Sequence, residues 1–150
     1  MSLTTDRPSG ERTVLTEYEA KGLLAEFDIQ VQPGGLATTP GEAATIAADI
    51  GYPVVLKVMS RDIVHKSDAG IIALDVQDEA ELESEWETIM ANAREYAPDA
   101  AIDGVLVNPM AAPGTEVIIG INRDPQFGPV VLFGLGGIFV EVLEDVSLRV

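Results

Sequence analysis

Gly51-Tyr52-Pro53-Val54-Val55-Leu56-Lys57-Val58 is an apolar, β-branched run interrupted by one lysine. Such a run reads as a buried strand entered from a turn. A lysine within it must send its ammonium to a cleft or a counter-charge, because burying the charge unpaired is costly. Two readings of Lys57 stay open on this ground: a sheet-edge residue reaching for water, or a point charge for nucleotide phosphates. The chain then turns polar and irregular over 59–69 before a second strand over 71–76. Inside that loop lies His65-Lys66-Ser67-Asp68-Ala69-Gly70, with the single histidine of the sequence. His65 is either an ordinary solvated histidine or a nucleophile. Its neighbours favour phosphate chemistry: Lys66 is a cation, Ser67 a hydroxyl, and Gly70 a flexible backbone whose N–H can approach an anion. One histidine without a second His or Cys is too few ligands for a transition metal.

Before this stretch, Thr16 and Glu19 match a capping box, with Leu23, Leu24 and Phe27 at helical spacing and an end near Asp28. A short extended piece over 29–32 follows. Thr39 as N-cap, Pro40 and Glu42 start a second helix whose apolar face is Ala43, Ile46 and Ala47, and Gly51 stops it. Beyond the second strand, Asp78 caps a third helix with Leu82, Trp86, Ile89 and Ala93 on one face. Strands are predicted over 102–107, 116–121, 130–133 and 146–150, with a turn over 122–126. The order lacks strict βαβ alternation, so an α+β fold with a mostly antiparallel sheet fits better than a doubly wound one. Residues 1–14 read as a disordered polar leader. Because the sequence stops within an apparent strand, a fragment is expected.

Gly134-Leu135-Gly136-Gly137 follows one of these strands, as a turn, a bulge or an anion-binding loop. It is no Walker motif, since no Gly-Lys-Ser/Thr follows. Glu116, after Pro113-Gly114, is a surface charge or an acceptor for a ribose hydroxyl.

Charge narrows the partners. Twenty-five acidic against 9 basic residues give a formal charge of −16, which argues against a general nucleic-acid binder. The lysines are Lys21, Lys57 and Lys66; an acidic, lysine-poor surface is typical of proteins from salt-loving organisms, where salt screens the self-repulsion. Where lysine is avoided, those retained near one another are expected to have a task. With no cysteine, disulfides and thiol chemistry are excluded. No stretch is apolar enough to span a bilayer, and the N-terminus lacks a signal-peptide core, so a cytoplasmic protein is expected.

Taken in order, residues 15–21, 51–57, 65–70, 104–107, 116–120, 124–128 and 133–141 resemble the ATP-grasp β subunit or domain of NDP-forming acyl-CoA synthetases, relatives of succinyl-CoA synthetase. The resemblance runs from Leu15 to the end. It implies an ATP-grasp fold, with the first lobe and hinge over 15–110 and the start of a second lobe over 111–150. It implies ATP/ADP or GTP/GDP as the nucleotide, and a CoA-binding α subunit or fused α domain within an oligomeric enzyme. Magnesium is implied too, with its ligands beyond residue 150, so no metal residue is assigned. By the same resemblance His65 accepts a phosphoryl group from the α part before ADP does, Lys57 contacts phosphates, and Lys66, Ser67 and Gly70 form the phosphate loop. Val107, Asn108 and Met110 belong to the hinge at the adenine edge, Glu116 accepts from the ribose, and the glycine loop and Glu141 face the incoming phosphoryl carrier. Two alternatives remain: a succinyl-CoA synthetase-like ligase, whose longer glycine-rich basic loop the 65–70 segment lacks, and a non-catalytic nucleotide-sensing module of a larger protein.

Overall fold

A computed structural model describes residues 14–63, 69–136 and, as backbone, 146–149. Helix α1 (Glu17–Glu26) starts on Thr16, whose hydroxyl accepts from the Glu19 N–H while the Glu19 carboxylate accepts from the Thr16 N–H, a reciprocal capping box. The chain continues through β1 (Gly35–Ala37), α2 (Pro40–Ile50), β2 (Val54–Met59), β3 (Ile72–Val76), α3 (Glu79–Tyr96) and β4 (Gly104–Pro109). Thr39 and Asp78 cap α2 and α3 by accepting from the N–H three residues on. Then come β5 (Val117–Asp124), β6 (Gly128–Leu135) and β7 (Val146–Arg149).

Contacts divide the chain into two compact units, 1–110 and 111–150. In the first, β1, β4, β2 and β3 lie side by side in that order, and every pairing is antiparallel. Strand alternation sorts the side chains. Val54, Leu56 and Val58 of β2, with Val105 and Val107 of β4, join the core formed with α2 and α3. Val55, Lys57, Leu106 and Asn108 belong to the opposite face. Helix α3 meets that core along the spacing read from sequence: Leu82, Trp86, Ile89 and Ala93 are its buried residues. The second unit is an antiparallel meander, β5-β6-β7.

Several expectations shift. Residues 29–32 form no strand; the strand is β1, three residues long, which has too little sequence for a period to register. It exists because Gly35, Leu36 and Ala37 pair with Val107, Leu106 and Val105. Helix α1 ends at Glu26, with Phe27 as its C-cap and Asp28 in the left-handed region at φ 57°. It buries no residue: Leu23, Leu24 and Phe27 remain exposed. The turn expected over 122–126 narrows, because β5 runs to Asp124, whose carboxylate then accepts from the Gln126 and Phe127 N–H groups at 2.8 and 3.0 Å. The leader expected over 1–14 lies, but for Val14, outside the described residues.

Helix α3 supplies the test of this core. Ile89→Ala should cost about 3 kcal/mol of unfolding free energy, while Glu87→Ala, exposed on the same helix, should stay within about 0.5 kcal/mol. Urea unfolding of the two variants measures the contrast.

Candidate functional site

Lys57 sits on an interior strand, so the sheet-edge reading does not hold. It is paired with Leu106 of β4 on one side and Ile72 of β3 on the other. Its ammonium donates to both carboxylate oxygens of Glu17 at 3.0 Å. Glu17 is the first residue of α1, where the helix N-terminus favours an anion. One turn later Lys21 reaches the same carboxylate at 3.1 Å and also donates to Asn108 Oδ1 at 2.8 Å. Asn108 is buried, and its Nδ2 donates to the Pro33 carbonyl at 2.7 Å. The next residue, Gly34, has φ 140°, and a Cβ there would collide with the Val107 carbonyl and the Asn108 amide, so only glycine lets the segment close on β4.

These contacts form one chain of partners from β2 through α1 to β4 and the 33–34 segment. Two cations around one carboxylate leave a local charge of +1 in a chain of formal charge −16. Partial burial alone would raise the Glu17 pKa. Hydrogen bonds from Lys57 and Lys21, together with their charge, outweigh it and hold the carboxyl below its ordinary value of 4.5. Arg61, in the loop after β2, pairs with Glu19 and gives α1 a second polar tie.

Beside this chain lies a cavity of about 460 Å³, lined by Tyr18, Lys21, Gln32, Pro33, Leu106 and Asn108. That volume is in the range of small-molecule sites, and the lining combines apolar side chains with convergent polar groups.

The other residues singled out by sequence are distributed as follows. Val107 points into the helix-side core and is fully buried. Met110 ends the first unit, and its N–H donates to the Pro53 carbonyl at 2.9 Å. Gly70 is left-handed at φ 61°, and its carbonyl accepts from Asn92 Nδ2 at 2.8 Å, which ties this end of the loop to α3. Glu116 belongs to the second unit, where its carbonyl accepts from the Gly136 N–H at 2.8 Å. A Cβ on Gly136 would press on Glu116 at 3.1–3.2 Å, so this member of the glycine run serves close backbone approach. His65, Lys66 and Ser67 lie outside the described residues, as do Gly137 and Glu141. Sequence reading missed Glu17 and Lys21 as site residues. Two signals were present, the Glu–Lys spacing of four on one helix and the scarcity of lysine.

The family described as ATP-grasp domain matches residues 7–150. The chain is 52% identical over 139 residues to the β subunit of acetate–CoA ligase [ADP-forming] II from Pyrococcus furiosus, covering 93% of this chain and 59% of that protein. It is 51% identical over 142 residues to acetate–CoA ligase [ADP-forming] I of Archaeoglobus fulgidus, covering 95% of this chain and 20% of that one. A solved acetyl-coenzyme A synthetase 1 from Ca. Korarchaeum cryptofilum, in complex with coenzyme A and Ca-AMPCP, superposes with a TM-score of 0.87 at 46% identity, over 90% of this chain and 59% of that one. The chain therefore spans about three-fifths of these β-subunit-sized relatives.

Acid should test the cluster. The Glu17 pKa is depressed in the folded state, so its stabilisation is present above the unfolded value and lost as pH falls below about 4.5. Glu17→Gln should therefore lower the melting temperature near pH 7, and its difference from the parent should shrink toward about pH 3. Thermal unfolding monitored by circular dichroism across pH reads this.

Proposed function

The chain belongs to the ATP-grasp domain family, and on that premise we propose that it is the nucleotide-binding component of an NDP-forming acyl-CoA synthetase. It transfers a phosphoryl group between a phosphohistidine and ADP, coupled to interconversion of acyl-CoA and free acid. The observation that carries this reading is the positive locus of Lys57 and Lys21 on the sheet face opposite α2 and α3, next to a cavity of suitable size. Drawing a polyanion to so acidic a protein requires such a spot. The Korarchaeum enzyme was solved with a nucleotide analogue and coenzyme A, which supports the same assignment here.

In this reading residues 15–110 form the first lobe and hinge, and 111–150 begin the second lobe. Lys57 meets the nucleotide phosphates. Val107, Asn108 and Met110 bring the hinge to the adenine edge, and Glu116 accepts from the ribose. His65 is the phosphoryl acceptor, flanked by Lys66, Ser67 and Gly70. A neutral imidazole nitrogen attacks the phosphorus delivered by the CoA-binding partner; the N–P bond forms as the bond to the donor breaks. A terminal oxygen of ADP then attacks the same phosphorus, the N–P bond breaks, and the imidazole is restored as ATP leaves. Magnesium, when bound, would supply positive charge against the phosphates, and no residue of 1–150 is assigned to hold it. The enzyme works in the cytoplasm with its CoA-binding α part, separate or fused.

We read the surface charge as adaptation to high salt. Thermal midpoints should then climb as KCl is raised from about 0.1 M to molar levels; a flat or falling response would remove that part of the proposal.

For the site, Lys57→Ala should weaken binding of ADP with magnesium in titration calorimetry by about tenfold or more, and unchanged affinity would sink the assignment. In the complete enzyme His65→Ala should abolish ATP formation while leaving nucleotide affinity near that of the parent. Undiminished turnover would take His65 out of the relay.

A further inference from the structure

Lys57 carries a four-carbon stem with free rotation, yet a phosphate site needs its ammonium in one place. Among the described residues its ion-pair partner is Glu17, which meets Nζ with both oxygens at 3.0 Å. Glu17 is itself held. It begins a helix whose first turn is fixed by the Thr16–Glu19 capping box. Lys21 binds it from one turn away, Asn108 binds Lys21, and the Pro33 carbonyl binds Asn108. Every member of the series has a partner, and its far end is anchored on a buried side chain. Because an ammonium has three N–H donors, a carboxylate taking part of that capacity can aim the rest.

We infer that Glu17 is a positioning residue for the nucleotide site, a fixed carboxylate that aims the Lys57 ammonium at the phosphates. The inference rests on the reading of Lys57 as a phosphate contact given above. Lys21 has a separate part. It offsets the charge of Glu17, so that the bracket does not repel an arriving anion and the site keeps its net positive charge. The sequence places bracket and cation far apart: 40 residues separate Glu17 from Lys57 and 87 separate Lys21 from Asn108.

A double-mutant cycle on the full-length polypeptide, read by calorimetry with ADP and magnesium, tests this. Glu17→Gln should raise the ADP dissociation constant roughly tenfold, the scale of one oriented charge-assisted bond, although it adds a unit of positive charge. In the Lys57→Ala background, Glu17→Gln should cause no further loss, since there is no ammonium left to aim. Arg61→Gln, which cuts the separate Glu19 tie of α1, should change ADP affinity by less than about twofold.

Tighter or unchanged binding by Glu17→Gln overturns the inference, as does a loss that adds fully to that of Lys57→Ala. Weakening by Arg61→Gln as large as by Glu17→Gln would overturn it too, by making the seating of α1 the cause. If Lys57→Ala alone leaves affinity unchanged, the phosphate reading itself falls and the inference with it. If Lys57→Ala weakens binding and Glu17→Gln does not, the inference alone fails.

Discussion

The carboxylate of Glu17 holds two lysines from different parts of the chain, and the arrangement of the first unit on that side of the sheet follows from it. Helix α1 has no buried residue of its own, so among the described residues its charged ties carry much of its seating. Three polar ties hold it: Glu17 on Lys57, Lys21 on Asn108, and Glu19 on Arg61. Polar seating is weaker than apolar packing and more sensitive to pH and salt. Partial shielding strengthens the Glu17 cluster, and Asn108, the one buried polar partner in it, is satisfied at both ends of its amide.

The two faces of the four-stranded sheet therefore do different work. One is closed by α2 and α3 over a continuous apolar core. The other collects the charged and amide groups, along with the cavity lined by Leu106, Asn108 and Pro33. The apolar core and the polar cluster lie on opposite sides of the same strands through the alternation of β2 and β4, since Leu56 and Val107 point one way while Lys57 and Asn108 point the other. A strand of this kind is apolar almost throughout, and its one lysine marks the polar face.

Glycine shows the same division. Gly34 lets the 33–34 segment approach β4 closely enough for Pro33 to accept from Asn108, and Gly136 lets the end of β6 approach Glu116. Both are demands of backbone proximity. The sequence displays such glycines only as a run or a pair, with nothing nearby to tell a turn from a close contact.

Local signals determined much of this protein. Thr16, Thr39 and Asp78 stand where the helices begin, the face of α3 follows the 3.6-residue period, and the β-branched run 54–58 is a strand, because caps and periodicity act within a few residues. The scarcity of lysine and the ordered motifs from Leu15 onward pointed to Lys57 and to the ATP-grasp family. Tertiary structure alone decided the rest. β1 is a strand because β4 pairs with it, α1 leaves the spaced Leu23, Leu24 and Phe27 exposed and is tied by its charges, and Lys57 is joined to Glu17, Lys21 and Asn108 only when distant segments meet. No short-range preference encodes which carboxylate a lysine will face 40 residues away; that choice belongs to the packing of the sheet.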